Sequence, residues 1–469
     1  MHNTVLLDST IREGELYVIL PIERKVAVAE LLANVGVRRV EVTVDYPPRT
    51  TRADVEPVVR ALKDAGVEVV MHGRAYRQDI DSIMKYNVDG VAVYMAVSQL
   101  HLDHKLKGIQ LEEAISRITE SVSYAAGHGF KYVRATLEDF SRLFIEGKNE
   151  ELERLFSFTD QLRSAGATLV SLPDTSGLMT PKMAAEFTRY AKSKSKLPIA
   201  CHFHNDYGHA SANTVMSVLE GADEVHVSIL GIGDRNGIAD LYEVVAALHD
   251  IHGIDLGVER GALNHVYHEF SKLTGVKIPW RHPLSEQSKT VRAGVHQSMV
   301  IKRPEGYVPS MKLKYDYEGV RFSASPYVSH KLVMEVLRTA GVEVDDQTGR
   351  QIAESIATLY HQKSGRLSVR DITELMRRSI GVDIREDLVA KFFGEERVYV
   401  LVKIDPQYPV NELIRELLSW DDVDSVDEVY GDADLVIEGR LRFGSENLVE
   451  RIRKRLGANA KKVNVLIAD

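Results

Sequence analysis

The sequence predicts an α/β protein that begins with a closed (β/α)8 TIM barrel, continues into a helical extension and ends in a ferredoxin-like βαββαβ domain. Three observations support this prediction. The chain has 469 residues with 44% hydrophobic content, enough for more than one core. Short apolar runs alternate with amphipathic helical stretches through its first half. Residues 397–469 follow the order β, α, β, β, α, β.

Eight apolar runs in the first half are predicted to be strands. Helix-like stretches between them, such as "PIERKVAVAELLANVG", have a period of 3.6 residues and end at glycine. Eight such units fit a parallel barrel, and a doubly wound sheet is disfavoured because no glycine-rich nucleotide turn follows the first run. The runs are TVLLDST (4–10), RRVEVTV (38–44), EVVMHG (68–73), GVAVYMAV (90–97), YVRATLED (132–139), TLVSLPDT (168–175), PIACHFHND (198–206) and EVHVSILG (224–231).

The alternation stops after the eighth unit, and the pattern becomes mostly helical with one irregular stretch, "IKRPEGYVPSMKLKYDYEGVRF". We therefore predict three parts. They are the barrel (1–261), the mostly helical part (262–396) and the small ferredoxin-like domain (397–469).

Charge and cysteine content limit the classes of function. The formal net charge is -9 and the pI is about 6.0, which argue against general nucleic-acid binding. Cys201 is the single cysteine, so no internal disulfide forms, as is typical of a reducing cytoplasm. The first residues, "MHNTVLLDST", contain neither a basic region nor a long apolar stretch. We expect a soluble cytoplasmic protein that binds neither nucleic acid nor membrane.

The stretch "HFHND" places two histidines on one face of the seventh strand, because residues i and i+2 of a strand point the same way. Such a pair is either a metal-binding pair or two ordinary buried polar side chains. In a (β/α)8 barrel the chemistry lies at the carboxyl ends of the strands. The polar residues expected there are Arg12, Glu13, His72, Arg74, Arg134, Thr136, Glu138, Asp174, Thr175, His202, His204 and the stretch "GIGDRNG".

Glu13, His202 and His204 would supply three ligands and leave coordination positions open for a substrate, as in catalytic metal sites. An ion-pair network that only closes the mouth of the barrel is the alternative.

Several motifs, in order, resemble one enzyme family. They are "DSTIREGE", "HGRAYRQDI", "VSQLHLDHKLK", "PDTSG", "HFHND", "GIGDRNG" and "AGVH". This set is similar to the acyltransferase branch of the metal-dependent barrel lyases, which includes the homocitrate, isopropylmalate and citramalate synthases. Among these, the motifs resemble the archaeal homocitrate synthases most. The resemblance covers about residues 3–310.

The resemblance implies a role for each matched residue. A divalent metal (Mg²⁺, Mn²⁺ or Zn²⁺) would be bound by Glu13, His202 and His204. The 2-oxo acid would be bound by Arg12, Arg134, Thr136 and Thr175, with His72 near its second carboxylate. The acid/base pair would be Glu138 and His296. In this family the region that contains His296 completes the site of a neighbouring subunit, so a homodimer or a higher homo-oligomer is implied.

The implied reaction joins acetyl-CoA to 2-oxoglutarate and releases homocitrate and CoA, the first step of lysine biosynthesis through 2-aminoadipate. His72 and Ile238 match the homocitrate branch, whereas "SLPDTSG" and "HLDHKLK" are more similar to isopropylmalate or citramalate synthases. A carbon-carbon lyase and a divergent sensor on the same barrel are further alternatives. The departures from the family pattern are Leu16, Ala92, Asp234, Val291 and the stretch "SPYVSHK".

The stretch "VDEVYGDADLVIEG" resembles the amino-acid-binding domain of the leucine-responsive regulators. That resemblance implies that residues 397–469 form a regulatory domain of the RAM or ACT type, with an effector, lysine or leucine, bound where two copies of the domain meet. The apolar strands of this segment could instead form only a dimerisation surface.

Overall fold

The computed structural model describes residues 4–317, 319–365, 367–394, 396–441 and 447–468. The chain divides into two compact units, Met1–Thr274 and Gly275–Asp469. No helix in the described ranges is both long and apolar enough to span a bilayer.

The first unit is a closed barrel of eight parallel strands, as predicted from the sequence. Each strand pairs with the next along the chain, and β1 pairs with β8 to close the barrel. The strands are β1 (Val5–Asp8), β2 (Arg39–Thr43), β3 (Glu68–Arg74), β4 (Gly90–Ala96), β5 (Tyr132–Glu138), β6 (Leu169–Asp174), β7 (Ile199–Phe203) and β8 (Glu224–Val227).

Helices connect these strands, and local sequence fixes where several of them begin and end. The helix Leu241–His252 begins where the Asp240 side chain accepts a hydrogen bond from the Glu243 amide at 2.9 Å, and it ends at Gly253, whose φ is +66°. The helices are α1 (Thr10–Gly14), α2 (Ile22–Asn34), α3 (Arg52–Asp64), α4 (Arg77–Ile83), α5 (Gln99–His104), α6 (Leu111–Gly127), α7 (Phe140–Ile145), α8 (Asn149–Ser164), α9 (Pro181–Lys194), α10 (Ala210–Leu219), α11 (Leu241–His252) and α12 (Leu263–Thr274).

The two faces of the barrel strands differ in chemistry. In β2, Val40 and Val42 are buried on one face, and Glu41 lies between them on the other. Strand alternation therefore packs apolar side chains beneath the helices and directs charged ones into the barrel.

The second unit begins with a helical part that has its own apolar core. Leu332, Val336, Ile352, Ile372 and Met376 are among its buried side chains. Its elements are β9 (Thr290–Val291), α13 (Gly294–Lys302), α14 (Ser310–Tyr315), β10 (Arg321–Phe322), α15 (His330–Thr339), α16 (Asp346–Gln362), α17 (Val369–Ile380) and α18 (Glu386–Phe393).

A four-stranded antiparallel sheet with two helices forms the C-terminal part of the same unit. Its strand order is β12-β13-β11-β14, the order of a ferredoxin-like domain, so the predicted βαββαβ pattern is confirmed. The elements are β11 (Glu396–Ile404), α19 (Val410–Leu418), β12 (Val423–Glu428), β13 (Leu435–Leu441), α20 (Leu448–Leu456) and β14 (Ala460–Ala468). The division into functional parts at 261 and 396 stays a prediction.

Candidate active site

Glu13, His202 and His204 lie together at the carboxyl ends of the barrel strands. Glu13 comes from α1, which follows β1 directly, and the two histidines come from β7 and the residue just beyond it. One ligating atom from each residue lies within 4.8 Å of the others. His202 Nε2 is 3.8 Å from Glu13 Oε1. The three ligands proposed from sequence therefore converge.

The position of Glu13 depends on the backbone around it. Its amide donates to the Ser9 carbonyl at 2.7 Å, which starts α1 at the end of β1. The loop after β8 comes close from the other side, because a Cβ at Gly233 would lie only 3.0 Å from Glu13 Oε2. Glycine at position 233 therefore lets the backbone approach this carboxylate without a tight side-chain contact.

The chemistry of the three residues fits a divalent metal. Burial lowers the pKa of both His202 and His204, so both imidazoles are neutral, which is the form that binds metals. His204 Nδ1 is buried and has no hydrogen-bond partner within the described part of the chain. A carboxylate and two neutral imidazoles suit Zn²⁺ or Mn²⁺, and Mg²⁺ with more oxygen ligands.

A buried ion-pair network lies beside these residues, and its centre is Glu41, which the sequence analysis missed. The Glu41 side chain is 0% exposed, and its two oxygens accept hydrogen bonds from Arg12 Nε and Arg134 Nη2. Burial would raise the pKa of Glu41, but the two guanidinium groups hold it well below its usual range. An interior glutamate between two valines in "RRVEVTV" could have indicated a buried partner.

Replacing Glu41 with glutamine should destabilise the barrel strongly. The substitution leaves the guanidinium groups of Arg12 and Arg134 buried without their shared counter-charge, which costs about 3–5 kcal/mol in comparable pairs. Urea unfolding of the variant would measure the loss. Glu56, which pairs with Arg52 on the surface, is the control when replaced in the same way and should leave stability nearly unchanged.

Arg134 and Thr136 lie on β5 with their side chains inside the barrel. The Arg134 side chain is 2% exposed, and burial alone would lower its pKa, but Glu41, Tyr132 and Glu224 together hold the pKa above its ordinary value. Thr136 Oγ1 is buried and without a hydrogen-bond partner among the described residues. It is therefore a hydroxyl able to bind a polar group that enters the barrel.

Thr175 lies where the loops after β6, β7 and β8 meet. Its Oγ1 accepts a hydrogen bond from the Asp139 amide at 2.9 Å, which leaves its own hydroxyl hydrogen available. Arg235 donates to the Thr175 carbonyl at 2.8 Å and makes two hydrogen bonds of 2.8 Å to Asp206. This bidentate pair holds the loop that follows His204.

His72 stacks on Tyr94, with ring centroids 5.1 Å apart and an angle of 5° between the rings. Burial, with a further contribution from the nearby Arg12, lowers the pKa of His72 to about 3. His72 is therefore a neutral imidazole that can donate or accept one hydrogen bond, and it carries no positive charge at neutral pH.

Glu138 lies at the end of β5 and has a partner that the sequence analysis did not identify. Lys105 Nζ lies 2.6 and 2.7 Å from the two Glu138 oxygens, and His101 Nδ1 lies 3.9 Å from the nearer one. Lys105 belongs to the stretch "HLDHKLK", so the motif could have indicated a basic residue for this carboxylate.

His296 belongs to the second unit, in α13. Its ring lies against Tyr307, with centroids 4.0 Å apart, and the neighbouring Val295 side chain is exposed. The pairing of His296 with Glu138 in one site stays a prediction.

Comparison of the sequence with models of known protein families identifies the family to which the barrel belongs. The HMGL-like family model matches residues 3–268. The chain belongs to the HMGL-like family. The resemblance inferred from the motifs is thereby confirmed, together with the barrel fold.

Relatives within the HMGL-like family include two kinds of synthase. A homocitrate synthase of Saccharolobus islandicus is 29% identical over 472 residues, which is 98% of each chain. The probable 2-isopropylmalate synthase of Archaeoglobus fulgidus is 30% identical over 412 residues, 87% of this chain and 79% of the relative. The HMG-CoA lyase structure from Bacillus subtilis is 19% identical, with a TM-score of 0.51, and covers 60% of this chain and 97% of the lyase. That structure supports the fold alone.

Proposed function

We propose that this protein condenses acetyl-CoA with a 2-oxo acid, and that 2-oxoglutarate is the acid, so that homocitrate and CoA are released. The convergence of Glu13, His202 and His204 beside two buried arginines is the observation that carries this proposal. Similarity to a homocitrate synthase across the full length of both chains supports it. The reaction would open lysine biosynthesis through 2-aminoadipate.

Glu13, His202 and His204 would hold Mg²⁺, Mn²⁺ or Zn²⁺. When bound, the cation supplies Lewis-acid polarisation of the keto oxygen of the 2-oxo acid. Arg12 and Arg134 would orient the substrate carboxylates through charge-assisted hydrogen bonds. The other proposed contacts are the hydroxyl groups of Thr136 and Thr175 and, near the second carboxylate, His72.

The buried charges favour a dicarboxylate. Three guanidinium groups and three carboxylates form the interior part of the network, and their charges cancel before any metal binds. Arg39 also pairs with Glu68, but that carboxylate is 55% exposed, so water screens its charge from the interior. A divalent cation therefore adds two uncompensated positive charges to a buried site. A dianionic 2-oxo acid would balance both, whereas a monoanionic one would leave one positive charge uncompensated. The six groups are Arg12, Arg39, Arg134, Glu13, Glu41 and Glu224.

We assign the acid/base chemistry to His296 and Glu138. His296 of a second copy would remove a proton from the acetyl methyl group, and Glu138 would orient that imidazole. The deprotonated methyl carbon forms the new bond to the keto carbon, and the keto oxygen takes up a proton and becomes a hydroxyl. Water then cleaves the thioester and releases CoA. Lys105 Nζ contacts both Glu138 oxygens and so holds this carboxylate in place.

CoA release tests the proposed function directly. Purified full-length protein is expected to release free thiol from acetyl-CoA with 2-oxoglutarate and a divalent metal, and to stop when a chelator is added. Parallel reactions with 2-oxoisovalerate, pyruvate and glyoxylate identify the preferred acid. Absence of thiol release with all four acids and with Mg²⁺, Mn²⁺ and Zn²⁺ would refute the proposed synthase activity. It would favour the alternative that the protein is a divergent sensor built on the same barrel.

An isopropylmalate synthase is the second candidate. The 30% identity to the relative from Archaeoglobus fulgidus and the stretch "HLDHKLK" favour it. Faster turnover with 2-oxoisovalerate than with 2-oxoglutarate would establish it, and faster turnover with pyruvate would indicate a citramalate synthase.

We further propose that residues 397–469 bind an amino-acid effector, lysine for a homocitrate synthase or leucine for an isopropylmalate synthase. The ferredoxin-like sheet has helices on one face only, and its other face carries the partly exposed Tyr399 and Leu401. This second face could meet the same domain of another copy. A cytoplasmic location, which the single cysteine supports, suits such feedback control.

A chain that ends at Glu396 should keep its turnover and lose inhibition by lysine or leucine. Inhibition requires that the effector bind the less active state more tightly, and the shortened chain lacks the proposed binding domain. Initial rates with and without each amino acid provide the measurement. Undiminished inhibition of the shortened chain would place the effector site in the barrel.

A further inference from the structure

His226 lies behind the candidate metal ligands and has no part in the proposed chemistry. It is in β8, is 1% exposed and contacts both a ligand and a carboxylate. Its Nδ1 lies 3.2 Å from Nδ1 of His202, and its Nε2 lies 3.0 Å from Oε1 of Glu224. The three side chains form a buried line that leads from Glu224 to the candidate metal site.

The partners of Glu224 show that it is the acceptor at one end of this line. Its Oε1 accepts a hydrogen bond from the Tyr132 hydroxyl at 2.8 Å, and its Oε2 accepts one from Arg39 Nη1 at 2.6 Å. Arg134 Nη1 lies 3.5 Å from Oε1 and adds positive charge. Surrounded by donors, Glu224 is a carboxylate, so the proton between it and His226 belongs to the imidazole Nε2.

A neutral imidazole carries one N–H, so a proton on His226 Nε2 leaves its Nδ1 as an acceptor. The only proton that can join the two facing Nδ1 atoms then belongs to His202. With Nδ1 protonated, His202 has a lone pair at Nε2, the atom that faces Glu13 Oε1. Arg134 Nη1 lies 3.0 Å from His226 Nε2 and is a competing partner for that nitrogen, because a guanidinium group can only donate. Glu224 is the stronger partner, because an unprotonated Nε2 would hold its lone pair 3.0 Å from a carboxylate oxygen, whereas Arg134 already has Glu41 as an acceptor.

The opposite arrangement has the opposite consequence for the metal. If His226 donated from Nδ1, His202 would accept there and carry its proton at Nε2. That proton would point toward Glu13 and block the nitrogen from a metal. The direction of the hydrogen bond between His202 and His226 therefore decides whether Nε2 of His202 can bind a metal.

We propose that Glu224 and His226 are positioning residues that fix His202 with its proton on Nδ1 and its Nε2 free for a divalent cation. The proposal rests on the proposed metal site, because only a ligand benefits from a fixed tautomer. It also extends the site one strand beyond the three ligands, to β8.

The tautomers can be measured without any metal. Full-length protein labelled with ¹⁵N in the histidine rings, freed of metal with a chelator, would give tautomer-specific nitrogen shifts. Signals are assigned by comparison with the single variants His202→Gln and His226→Gln. We expect His202 to be protonated at Nδ1 and His226 at Nε2. A His202 ring protonated at Nε2 overturns the proposal, whether or not the protein binds metal.

Metal affinity provides a second, independent readout, with free Mn²⁺ followed by electron paramagnetic resonance. His226→Leu removes the acceptor and should weaken Mn²⁺ binding about 10–100-fold, the range typical of partners that orient a ligand. His226→Gln can accept from His202 and donate to Glu224, so it should bind within about threefold of wild type. The exposed His252, replaced with leucine, is the control and should bind like wild type.

The outcomes distinguish failure of the positioning role of His226 from failure of the metal site itself. A folded His226→Leu protein that binds Mn²⁺ as tightly as wild type overturns the positioning role. Wild-type protein that binds no Mn²⁺, Mg²⁺ or Zn²⁺ overturns the metal site itself, while the ring tautomers still report whether the hydrogen-bonded line exists. If His226→Leu does not fold, the tautomers of the wild-type rings decide.

Discussion

Replacing Glu13 with glutamine is expected to lower the affinity for Mn²⁺ by at least about 100-fold, a larger loss than partners outside the ligand set produce. The substitution keeps the size of the side chain but removes the only negative charge among the three converging ligands. Neutral imidazoles alone would then bind the cation without any charge compensation. Thiol release from acetyl-CoA is expected to fall in parallel. Calorimetric titration with Mn²⁺ measures the loss of affinity.

Glu15→Gln is the matched control for this variant. Glu15 is two residues further along the chain and pairs with Lys25, so its charge is not part of the ligand cluster. It should bind Mn²⁺ like wild type. Undiminished Mn²⁺ affinity in Glu13→Gln would show that the cation binds elsewhere. Unfolding curves of both variants exclude a general loss of structure.

His296→Ala is expected to reduce turnover by roughly 100 to 10,000-fold, the usual contribution of a positioned acid or base, and to leave Mn²⁺ affinity unchanged. The proposed base removes a proton from acetyl-CoA and does not bind the metal, so only the chemical step is impaired. Initial rates at saturating substrates, with Mn²⁺ titrations, provide the measurement. His361→Ala, an exposed histidine of the same unit, should keep full turnover. Normal turnover of His296→Ala would remove His296 from the mechanism.

Mixing two inactive variants tests whether His296 acts in the site of a second copy. A hybrid dimer of His296→Ala and Glu13→Gln chains contains one site with both residues intact only if each site takes His296 from its partner. Random exchange of subunits should then restore about a quarter of wild-type activity. No recovery after verified exchange would place His296 in the site of its own chain.

Much of the fold follows from local patterns. In "EVVMHG" and "GVAVYMAV" the apolar runs are strands within one residue of the predicted bounds, and "TRADVEPVVRALKDAG" contains the helix Arg52–Asp64. These predictions depend on the period of hydrophobic residues and on end signals such as glycine. The candidate ligands could also be predicted, because parallel strands of a barrel end at one edge.

Glu41, Lys105 and His226 could not be assigned in the same way. The local sequence can suggest that a charged residue such as Glu41 or Lys105 has a partner, but it does not identify the partner residue. Glu41 pairs with Arg134, 93 residues away, and His226 contacts His202, 24 residues away. The register of neighbouring strands decides which interior side chains lie at the same height.

The sequence by itself determined the eight βα units, the C-terminal βαββαβ pattern and the face of β7 on which His202 and His204 lie. Those features depend on interactions within a few residues along the chain. Only the tertiary structure decided that Arg12 and Arg134 share one buried carboxylate and that His202 has His226 behind it. The physical reason is closure of the barrel. Pairing of β1 with β8 and of β7 with β8 brings together charges from distant strands in a water-poor interior, where each must find a counter-charge.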